Sequence, residues 1–482
     1  GIQRFIRCKL RATAAGSWIR KPINRSLMKR TAHRKSDERP LAVDLFSGVG
    51  GLSLGFEQAG FDVAAAVEID PIHAVGHAFN FPECAVIAES VMNLTGDGIR
   101  EKAAIGTRQV DVVFGGAPCQ GFSLIGRRSL DDERNRLVKD FVRLVAELDA
   151  NYFVFENVKG LTVGRQKRFL EELIEAFGSI DYELRLPWRV LNVADYDVPQ
   201  NRERLILIGA KRGVPLPDYP EPTTIFRRDD VDDLLLRPTP TCREALGDLP
   251  DAESFDALFD GDAVATEQWG ESGAYAGKMR CLDDSGWGLG YRREWNPSVL
   301  TASARTAHTE ISRRRFRETT PGSVEPISRF FKLAPDSISN TLRAGTDSAR
   351  GAFTSPRPIH YEYARCVTVR EMARLHGFPD WFRFHVTKRH GARQIGNAVP
   401  PPLARAIGDE IVRTMDLDLS PPETVFRLGD ERFLGMDITE AAEYWGVPVS
   451  IGRRTFKSGL RKRKQADIEA ERLAAEKTET YA

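Results

Sequence analysis

The chain has 482 residues, of which 41% are hydrophobic and 28% are charged, and its formal net charge is +1. This composition is typical of a globular protein with two or three domains. No apolar run is long enough to cross a bilayer, and the N-terminus lacks the apolar region of a secretory signal, so we expect a cytoplasmic protein with no membrane partner.

The cysteines are scattered, at positions 8, 84, 119, 242, 281 and 366. They form no C-x-x-C pair and no cluster with histidine, so we expect no structural zinc and no resident metal. In a reducing compartment we expect no disulfides either.

Basic residues are concentrated at the start of the chain. Residues 1–39 hold 12 Lys and Arg residues against 2 Asp and Glu residues, whereas the remainder is mildly acidic. A basic N-terminal arm of this kind suits a polyanionic partner such as a nucleic acid. A solvated tail without a partner is an equally good interpretation.

The first predicted folded unit is a strand, a glycine-rich turn and a helix. Residues 41–46 predict the strand, residues 47–51 the turn and residues 52–59 the helix. Glycines let a ligand approach the backbone, and a helix N-terminus offers free N–H groups, so this order is typical of a nucleotide-binding α/β unit.

A second strand, over residues 61–67, ends at an acidic side chain. Glu68 lies 20 residues after Gly48, which is the spacing at which a carboxylate binds ribose hydroxyls in dinucleotide sites. The third glycine of the dinucleotide pattern is missing, because position 53 is Ser. A nucleoside ligand without a pyrophosphate is therefore favoured.

A cysteine follows the next buried strand. The elements predicted before it are a helix at 71–79 and strands at 85–88 and 110–114. Gly115 and Gly116 break the last strand, and Pro118 stiffens the chain just before Cys119. Cys119 would then lie at the sheet edge where α/β proteins bind ligands, and it is a candidate nucleophile. A lone cysteine is otherwise more often a small buried apolar residue.

A basic loop, residues 120–131, follows this cysteine. Gly121 and Gly126 border Arg127 and Arg128, so we interpret the loop as a movable lid. Residues 132–148 then predict a helix with one apolar stripe, which is most simply part of a core.

The next apolar strand, over residues 151–155, delivers Glu156 to the same sheet edge as Cys119. Taken alone, a strand-end glutamate is usually a solvated or capping residue. Two candidate functional groups from separate strands at one edge nevertheless favour a site there.

A pair of arginines precedes a later strand. Residues 184–193 and 205–208 predict strands, and Arg202 and Arg204 lie between them. Side chains at i and i+2 of an extended chain share a face, so this fork suits a nucleobase carbonyl or a phosphate. The alternative is a solvated charged turn.

The amino-acid composition changes after residue 210. Residues 211–365 are rich in Pro, Gly, Asp and Arg and predict a second, less regular domain. Its arginines suit nucleic-acid contacts, and a loop-rich insertion with solvated charge is the alternative. Three further elements follow, namely a helix at 369–375, a tight turn at 394–402 and an apolar helix at 403–415. Residues 421–482 form a C-terminal appendage, either helix-turn-helix-like or a small packing element.

Six short motifs, in linear order over residues 41–415, resemble those of the DNA (cytosine-5) methyltransferases. They are D-L-F-S-G-V-G-G at 44–51, G-A-P-C-Q-G-F-S at 116–123, F-E-N-V at 155–158, Q-N-R-E-R at 200–204, R-E-M-A-R-L-H-G-F-P at 370–379 and Q-I-G-N-A-V-P at 394–400. One such motif has little weight by itself, but six in the family's order make chance similarity very improbable.

The resemblance implies an α/β fold, with a Rossmann-like S-adenosylmethionine-dependent methyltransferase sheet and a second, smaller and irregular target-recognition domain. It divides the chain into a basic arm, a catalytic domain, a target-recognition domain, returning catalytic motifs and an appendage, at residues 1–39, 40–210, 211–365, 366–420 and 421–482.

The resemblance also implies the reaction. A cytosine is flipped out of double-stranded DNA, and its C5 takes the methyl group of S-adenosylmethionine, with S-adenosylhomocysteine as the product. Cys119 would add to C6, Glu156 would act at N3 and the exocyclic amine, and Arg202 and Arg204 would hold the O2 edge. No metal is required.

The family's binding residues carry over onto further positions. Cofactor contacts are implied for Phe46, Gly48, Gly50, Glu68, Ile69, Pro118 and Asn397. DNA contacts are implied for Gln120, Ser123, Arg127 and Arg128. Where the family usually offers an Asp to the adenine amino group, this chain has Ser90, and Glu89 or Asp97 could substitute.

Other functions compete with this interpretation. A NAD-dependent oxidoreductase on a similar sheet is disfavoured by the missing third glycine, and a catalytically idle DNA-binding protein by the intact Cys119 and Glu156. An RNA cytosine-5 methyltransferase is disfavoured by the long variable region. A restriction or anti-phage defence system, with its own partner proteins, and association with the nucleoid are expectations drawn from the family alone.

Overall fold

The computed structural model describes residues 38–118, 135–162, 166–226, 236–345 and 356–449. The described residues from Arg39 onwards belong to one compact unit. In this part of the chain, no helix is long and apolar enough to cross a membrane.

Among the described residues, an eight-stranded sheet organises the first half of the chain. Its strands are β1 (Leu41–Leu45), β2 (Asp62–Val67), β3 (Ala85–Ile87), β4 (Val112–Gly115), β5 (Tyr152–Val158), β6 (Tyr182–Leu184), β7 (Arg189–Asn192) and β8 (Glu203–Lys211). The order is β3-β2-β1-β4-β5-β8-β6, and β7 also pairs with β8. The first five strands are parallel, so their carboxyl ends meet at one edge, whereas β8 is antiparallel to β5.

Helices cover both faces of this sheet. They are α1 (Gly51–Gln58), α2 (Pro71–Asn80), α3 (Gly96–Lys102), α4 (Arg136–Glu147), α5 (Gln166–Ser179) and, much later in the chain, α11 (Pro401–Thr414). Alternate residues of β4 show the two faces, because Val112 and Phe114 pack with α1 and α11 whereas Val113 packs with α3, α4 and α5. The predicted α/β fold is confirmed.

The region after the sheet consists of short elements. Its helices are α6 (Cys242–Leu246), α7 (Ala274–Met279), α8 (Glu310–Glu318), α9 (Val369–Leu375) and α10 (Lys388–Asn397), and its strands are β9 (Thr224–Ile225), β10 (Arg237–Pro238), β11 (Val264–Ala265), β12 (Arg292–Glu294) and β13 (Val299–Leu300). Among the described residues these strands pair only in twos, and β12 does so with a later strand.

A second hydrophobic core joins α6 and α7 to α9 and α10. At its centre the fully buried Arg374 of α9 forms ion pairs with Asp248 at 2.9 Å and with Asp380 at 2.6 Å. The sequence assigns residues 366–420 to the catalytic domain. Helix α11 packs on the sheet, and Gln394 of α10 donates to the Ile72 carbonyl of α2 at 3.5 Å, while α9 and α10 also bury apolar residues against α6 and α7.

The C-terminal appendage packs on the outside of α2. Strand β14 (Val425–Arg427) pairs with β12, and α12 (Ile438–Trp445) places Ala441 against Ile72 and Val75. The described part therefore behaves as a packing element. The second helix of a helix-turn-helix would begin at residue 450, which lies outside the described residues.

Two predicted elements differ from the structure. The predicted strand at 184–193 covers only the last residue of β6 and the whole of β7, because Pro187 interrupts the run and each piece pairs separately with β8. Residues 394–397 belong to the end of α10, so the predicted turn at 394–402 begins only at Ala398.

Candidate active site

The carboxyl ends of four neighbouring strands bring the predicted site residues to one edge of the sheet. Phe46 follows β1, Glu68 follows β2, Pro118 lies three residues beyond β4, and Glu156 lies near the end of β5. These residues lie at one edge because neighbouring parallel strands present their carboxyl ends together.

Glu156 and Arg204 form an ion pair on one face of the sheet. The Arg204 Nε lies 2.8 Å from Glu156 Oε1, and both side chains are about 13% exposed. Glu156 stands opposite Ile206 on β8 and Val158 stands opposite Arg204, so the paired residues are diagonal neighbours on the same face. Arg204 thereby holds the carboxylate in a fixed orientation at the edge of the site.

Gly116 makes room for this carboxylate. A Cβ at position 116 would lie 2.5 Å from Glu156 Oε2, which is closer than real contacts allow. The acid therefore lies directly above the backbone of the corner that leads to Cys119. Any side chain at position 116 would displace it.

Asn157 ties the end of β5 to the same corner. Its side-chain amide donates to the Ala117 carbonyl at 3.0 Å, and its Oδ1 accepts from the backbone N–H of Val158 at 2.9 Å. Because Asn157 is buried and follows Glu156 directly, the position of the acid and the position of Ala117 are linked. The sequence signal for this residue is its place next to the strand-end glutamate.

The predicted nucleophile and DNA contacts fall in residues that the structure does not describe. Cys119, Gln120, Ser123, Arg127 and Arg128 all lie outside the described residues, as does the whole predicted lid at 120–131. The structure describes the chain up to Pro118, one residue before the thiol.

Arg202 is held differently from Arg204. It is almost fully buried, and its guanidinium donates to the backbone carbonyls of Leu342 at 2.9 Å and of Gly396 and Ala398 at 3.0 Å. Its Nε is buried without a hydrogen-bond partner among the described residues. The contact of Arg202 with the O2 edge of a base stays a prediction.

Glu68 organises the turn after β1. Its Oε2 accepts from the backbone N–H of Gly48 and its Oε1 from that of Asp70, both at 2.8 Å. Burial raises the pKa of Glu68. The carboxylate thus holds the ends of β1 and β2 together while it faces the sheet edge.

Three apolar residues follow the ends of β1, β2 and β4 at this edge of the sheet. Phe46 is half-buried, Ile69 is 66% exposed and Pro118 is exposed. Asn397 is exposed at the end of α10. Two residues later the Val399 carbonyl oxygen approaches α1 so closely that a Cβ at Gly51 would lie 2.3 Å from it. The turn after α10 therefore lies against the start of α1, beside the glycine-rich turn.

Comparison with known proteins decides the family. The family model for C-5 cytosine-specific DNA methylases matches residues 42–413. The chain belongs to this family.

Relatives of this methylase are named as Type II methyltransferases. The Type II methyltransferase M.XorII of Xanthomonas oryzae pv. oryzae is 55% identical over 413 residues, which cover 86% of this chain and 94% of the relative. M1.HphI of Haemophilus parahaemolyticus is 33% identical over 77% of this chain and 86% of the relative. The chain is a DNA (cytosine-5) methyltransferase.

A solved structure agrees with the fold of this methylase. It is that of an E. coli prophage-encoded protein assigned as a DNA modification methyltransferase, with a TM-score of 0.62 and 32% identity. The alignment covers 78% of this chain and 99% of that one.

The edge residues of the methylase fit the nucleoside part of S-adenosylmethionine, the family's cofactor. Glu68 offers a fixed carboxylate for ribose hydroxyls, and Phe46, Ile69 and Pro118 offer apolar surface for a base. Near the glycine-rich turn, Ser47 Oγ and Asp44 Oδ1 are buried without a hydrogen-bond partner among the described residues. Such atoms favour a polar ligand nearby.

Asp44 is a residue that sequence patterns did not single out for function. It is fully buried, its Oδ2 accepts from Ser53 Oγ at 2.6 Å, and burial raises its pKa to about 8. Ser53 occupies the place of the third glycine in the dinucleotide pattern, so the departure from that pattern supplies a partner for a buried acid.

Three polar residues, Glu89, Ser90 and Asp97, follow β3, where the family usually offers an Asp to the adenine amino group. Glu89 forms an ion pair with Lys102 at 2.6 Å, and Asp97 is exposed in the first turn of α3. Ser90 Oγ accepts from the backbone N–H of Met92 at 3.3 Å and keeps its own O–H as a donor. In the described part of the chain, no group of three His, Cys, Asp or Glu residues could hold a metal ion.

Proposed function

We propose that this enzyme methylates C5 of a cytosine that it flips out of double-stranded DNA, through a transient bond between Cys119 and C6. The proposal extends to a role in a restriction-modification system, as the names of its relatives suggest. The observation that carries it is the ion pair between Glu156 and Arg204, at 2.8 Å. The Glu156 carboxylate lies against Gly116, which precedes Cys119 by three residues.

The chemistry explains why an acid and a thiol are needed together. C5 of cytosine is a weak nucleophile until the aromatic ring is interrupted. The Cys119 thiolate adds to C6, which breaks the C5–C6 double bond and makes C5 an enamine-like carbon. C5 then takes the methyl group, loses its proton, and the bond from sulfur to C6 breaks as the double bond returns.

Glu156 and Arg204 would act on the ring during this addition. Glu156 can bind N3 and accept from the exocyclic amine, which draws electron density away from C6. Arg204, which already forms an ion pair with Glu156, would donate to the O2 edge. Positioned acid–base help of this kind contributes roughly 10²–10⁴-fold to a rate.

S-adenosylmethionine supplies the methyl group when it is bound. Glu68 would hold its ribose, and Phe46, Ile69 and Pro118 would enclose its base. Gly48, Gly50 and Asn397 would lie near its methionine part.

The base must leave the double helix before Cys119 can reach C6, because stacking hides that atom. Flipping costs a few kcal/mol, which contacts to the DNA must offset. We assign those contacts to the region between β8 and α9 and to the loop after Cys119, including Gln120, Ser123, Arg127 and Arg128. The basic arm at 1–39 would add contacts to the phosphate backbone.

Bisulfite sequencing tests this function. Plasmid DNA from a host that expresses the wild-type protein should carry protected cytosines in one recurring sequence, and DNA from a host that expresses Cys119→Ser should carry none. Total RNA from the same cells serves as a second substrate. Protection confined to RNA, or equal protection with both proteins, would contradict the proposal.

The restriction-modification role has its own test. Plasmids methylated by the wild-type enzyme should resist a nuclease that cuts the recurring sequence, and unmethylated plasmids should be cut. A nuclease that cuts both equally would count against a protective role at that sequence.

A further inference from the structure

A buried polar junction lies behind the active site and connects four parts of the chain. It consists of the side chains of Gln200, Arg202 and His376 and the backbone of Leu342 and of residues 396–398. Gln200, Arg202 and His376 are each 2% exposed or less. Its members come from the segment before β8, the irregular region, the end of α9 and the end of α10.

Arg202 is the cation of this junction, and both of its terminal nitrogens donate to backbone carbonyl oxygens. Its Nη1 donates to Leu342 and its Nη2 to Gly396 and Ala398, within 3.0 Å in each case. Charged donors form stronger hydrogen bonds than neutral ones, and more so away from water. One side chain therefore fixes the distance between Leu342 and the turn after α10.

Gln200 holds the same backbone from the other side. Its Oε1 accepts from the Leu342 N–H at 3.1 Å, and its Nε2 donates to the Leu375 carbonyl at 3.2 Å. Gln200 and Arg202 thus bind both backbone groups of Leu342. The residue is held in position by two side chains of the segment that leads to Arg204.

His376 links this arrangement to the turn after α10. Its Nδ1 lies 2.9 Å from Gln200 Nε2, and its Nε2 lies 3.0 Å from the Ala398 carbonyl. Because the Gln200 amide nitrogen only donates, Nδ1 accepts and the ring proton is on Nε2. Burial lowers the pKa of His376 well below its ordinary value, which keeps the ring neutral.

Gly396 lets the two linked segments approach closely. A Cβ at this position would lie 2.3 Å from the backbone nitrogen of Ala344 and 2.5 Å from the carbonyl carbon of Arg343. These neighbours are backbone atoms, so they cannot rotate away. The contact requires glycine.

We propose that Arg202 is a positioning residue: it sets the end of α10, which carries Asn397, relative to the cofactor site, and it couples this end to residues 341–344 of the irregular region. This role rests on the proposed function, in which Asn397 faces the methionine part of the cofactor. In this role Arg202 acts through the end of α10. Movement of residues 341–344 on DNA would then change the cofactor site, and cofactor binding would favour one position of those residues.

Calorimetric titration with S-adenosylhomocysteine, without DNA, tests this role. We expect Arg202→Ala to weaken the affinity at least tenfold and Arg202→Lys to recover part of it, since an ammonium can reach some of the carbonyls. Arg204→Ala is the matched control and should bind like wild type, because Arg204 contacts Glu156 and not the turn. An Arg202→Ala protein that binds like wild type, even with a lowered melting temperature, would overturn the proposal.

Gly396→Ala provides a second variant that keeps every polar group of the junction. It should also bind the product at least tenfold more weakly, and this result decides the matter if Arg202→Ala does not fold. Unchanged affinity in Gly396→Ala, or an equal loss in Arg204→Ala, would contradict the role of the junction. Wild-type protein that binds no S-adenosylhomocysteine would contradict the proposed function itself, and this inference with it.

Discussion

Replacing Gly116 by Ala tests the position of the catalytic acid. The new Cβ would lie 2.5 Å from Glu156 Oε2, whereas ordinary contacts begin near 3.4 Å, so the carboxylate must move by about 0.9 Å. A misplacement of about 1 Å at a reacting centre costs roughly 10²-fold in rate. We therefore expect methyl transfer in a single turnover to slow by about two orders of magnitude, with the affinity for S-adenosylhomocysteine unchanged.

Gly178→Ala is the matched control for this substitution. Gly178 is exposed in α5, and a Cβ there would meet no atom within 4 Å. Its activity should equal that of wild type, and its stability should rise by about 0.5–1 kcal/mol because Ala favours helix. A Gly116→Ala enzyme with the wild-type single-turnover rate would refute the position assigned to Glu156 in catalysis.

Three further substitutions test separate parts of the site. Cys119→Ser should abolish methyl transfer while S-adenosylhomocysteine binds within about twofold of wild type; measurable turnover would contradict the nucleophile. Glu68→Ala should weaken the affinity for S-adenosylhomocysteine about ten- to hundredfold, as expected for loss of hydrogen bonds to a charged group, and leave DNA affinity unchanged. Equal calorimetric affinities of the variant and the wild type for S-adenosylhomocysteine would count against the ribose contact. Burial raises the pKa of Asp44 from 3.8 to about 8, so the folded protein keeps this carboxyl protonated between these pH values while the unfolded chain ionises it. The free energy of unfolding therefore falls as pH rises over this range, by up to about 1.4 kcal/mol per pH unit. Asp44→Asn should remove this contribution to the pH dependence of stability and should be more stable than wild type near pH 8. Parallel curves of melting temperature against pH for the two proteins would contradict the raised pKa of Asp44.

Much of the sheet could be predicted from local patterns. Strands β1 to β5 are short apolar runs bounded by glycine or polar residues, and their order along the chain places Glu68, Glu156 and the corner at Pro118 at one edge. Helix α5 was not predicted, although Phe169, Leu170, Leu173 and Phe177 follow a helical period and all are buried.

Other features depend on contacts between distant parts of the chain. Arg202 looked like a partner of Arg204 because the two are close in sequence, yet its three acceptors lie 140 to 196 residues away. The same holds for Arg374, whose partner Asp248 lies 126 residues away. No local pattern shows that a charged side chain will be buried against distant carbonyls or carboxylates.

The most direct test of the central claim is to trap the bond between Cys119 and cytosine. A duplex with 5-fluorocytosine at the methylated position should form a stable protein–DNA adduct in the presence of S-adenosylmethionine, because fluorine at C5 cannot leave as a proton does. Peptide mapping should place the adduct on Cys119, and Cys119→Ser should form none. An enzyme that methylates ordinary DNA at that position, yet gives only free protein with the fluorinated duplex or an adduct at another residue, would contradict the account.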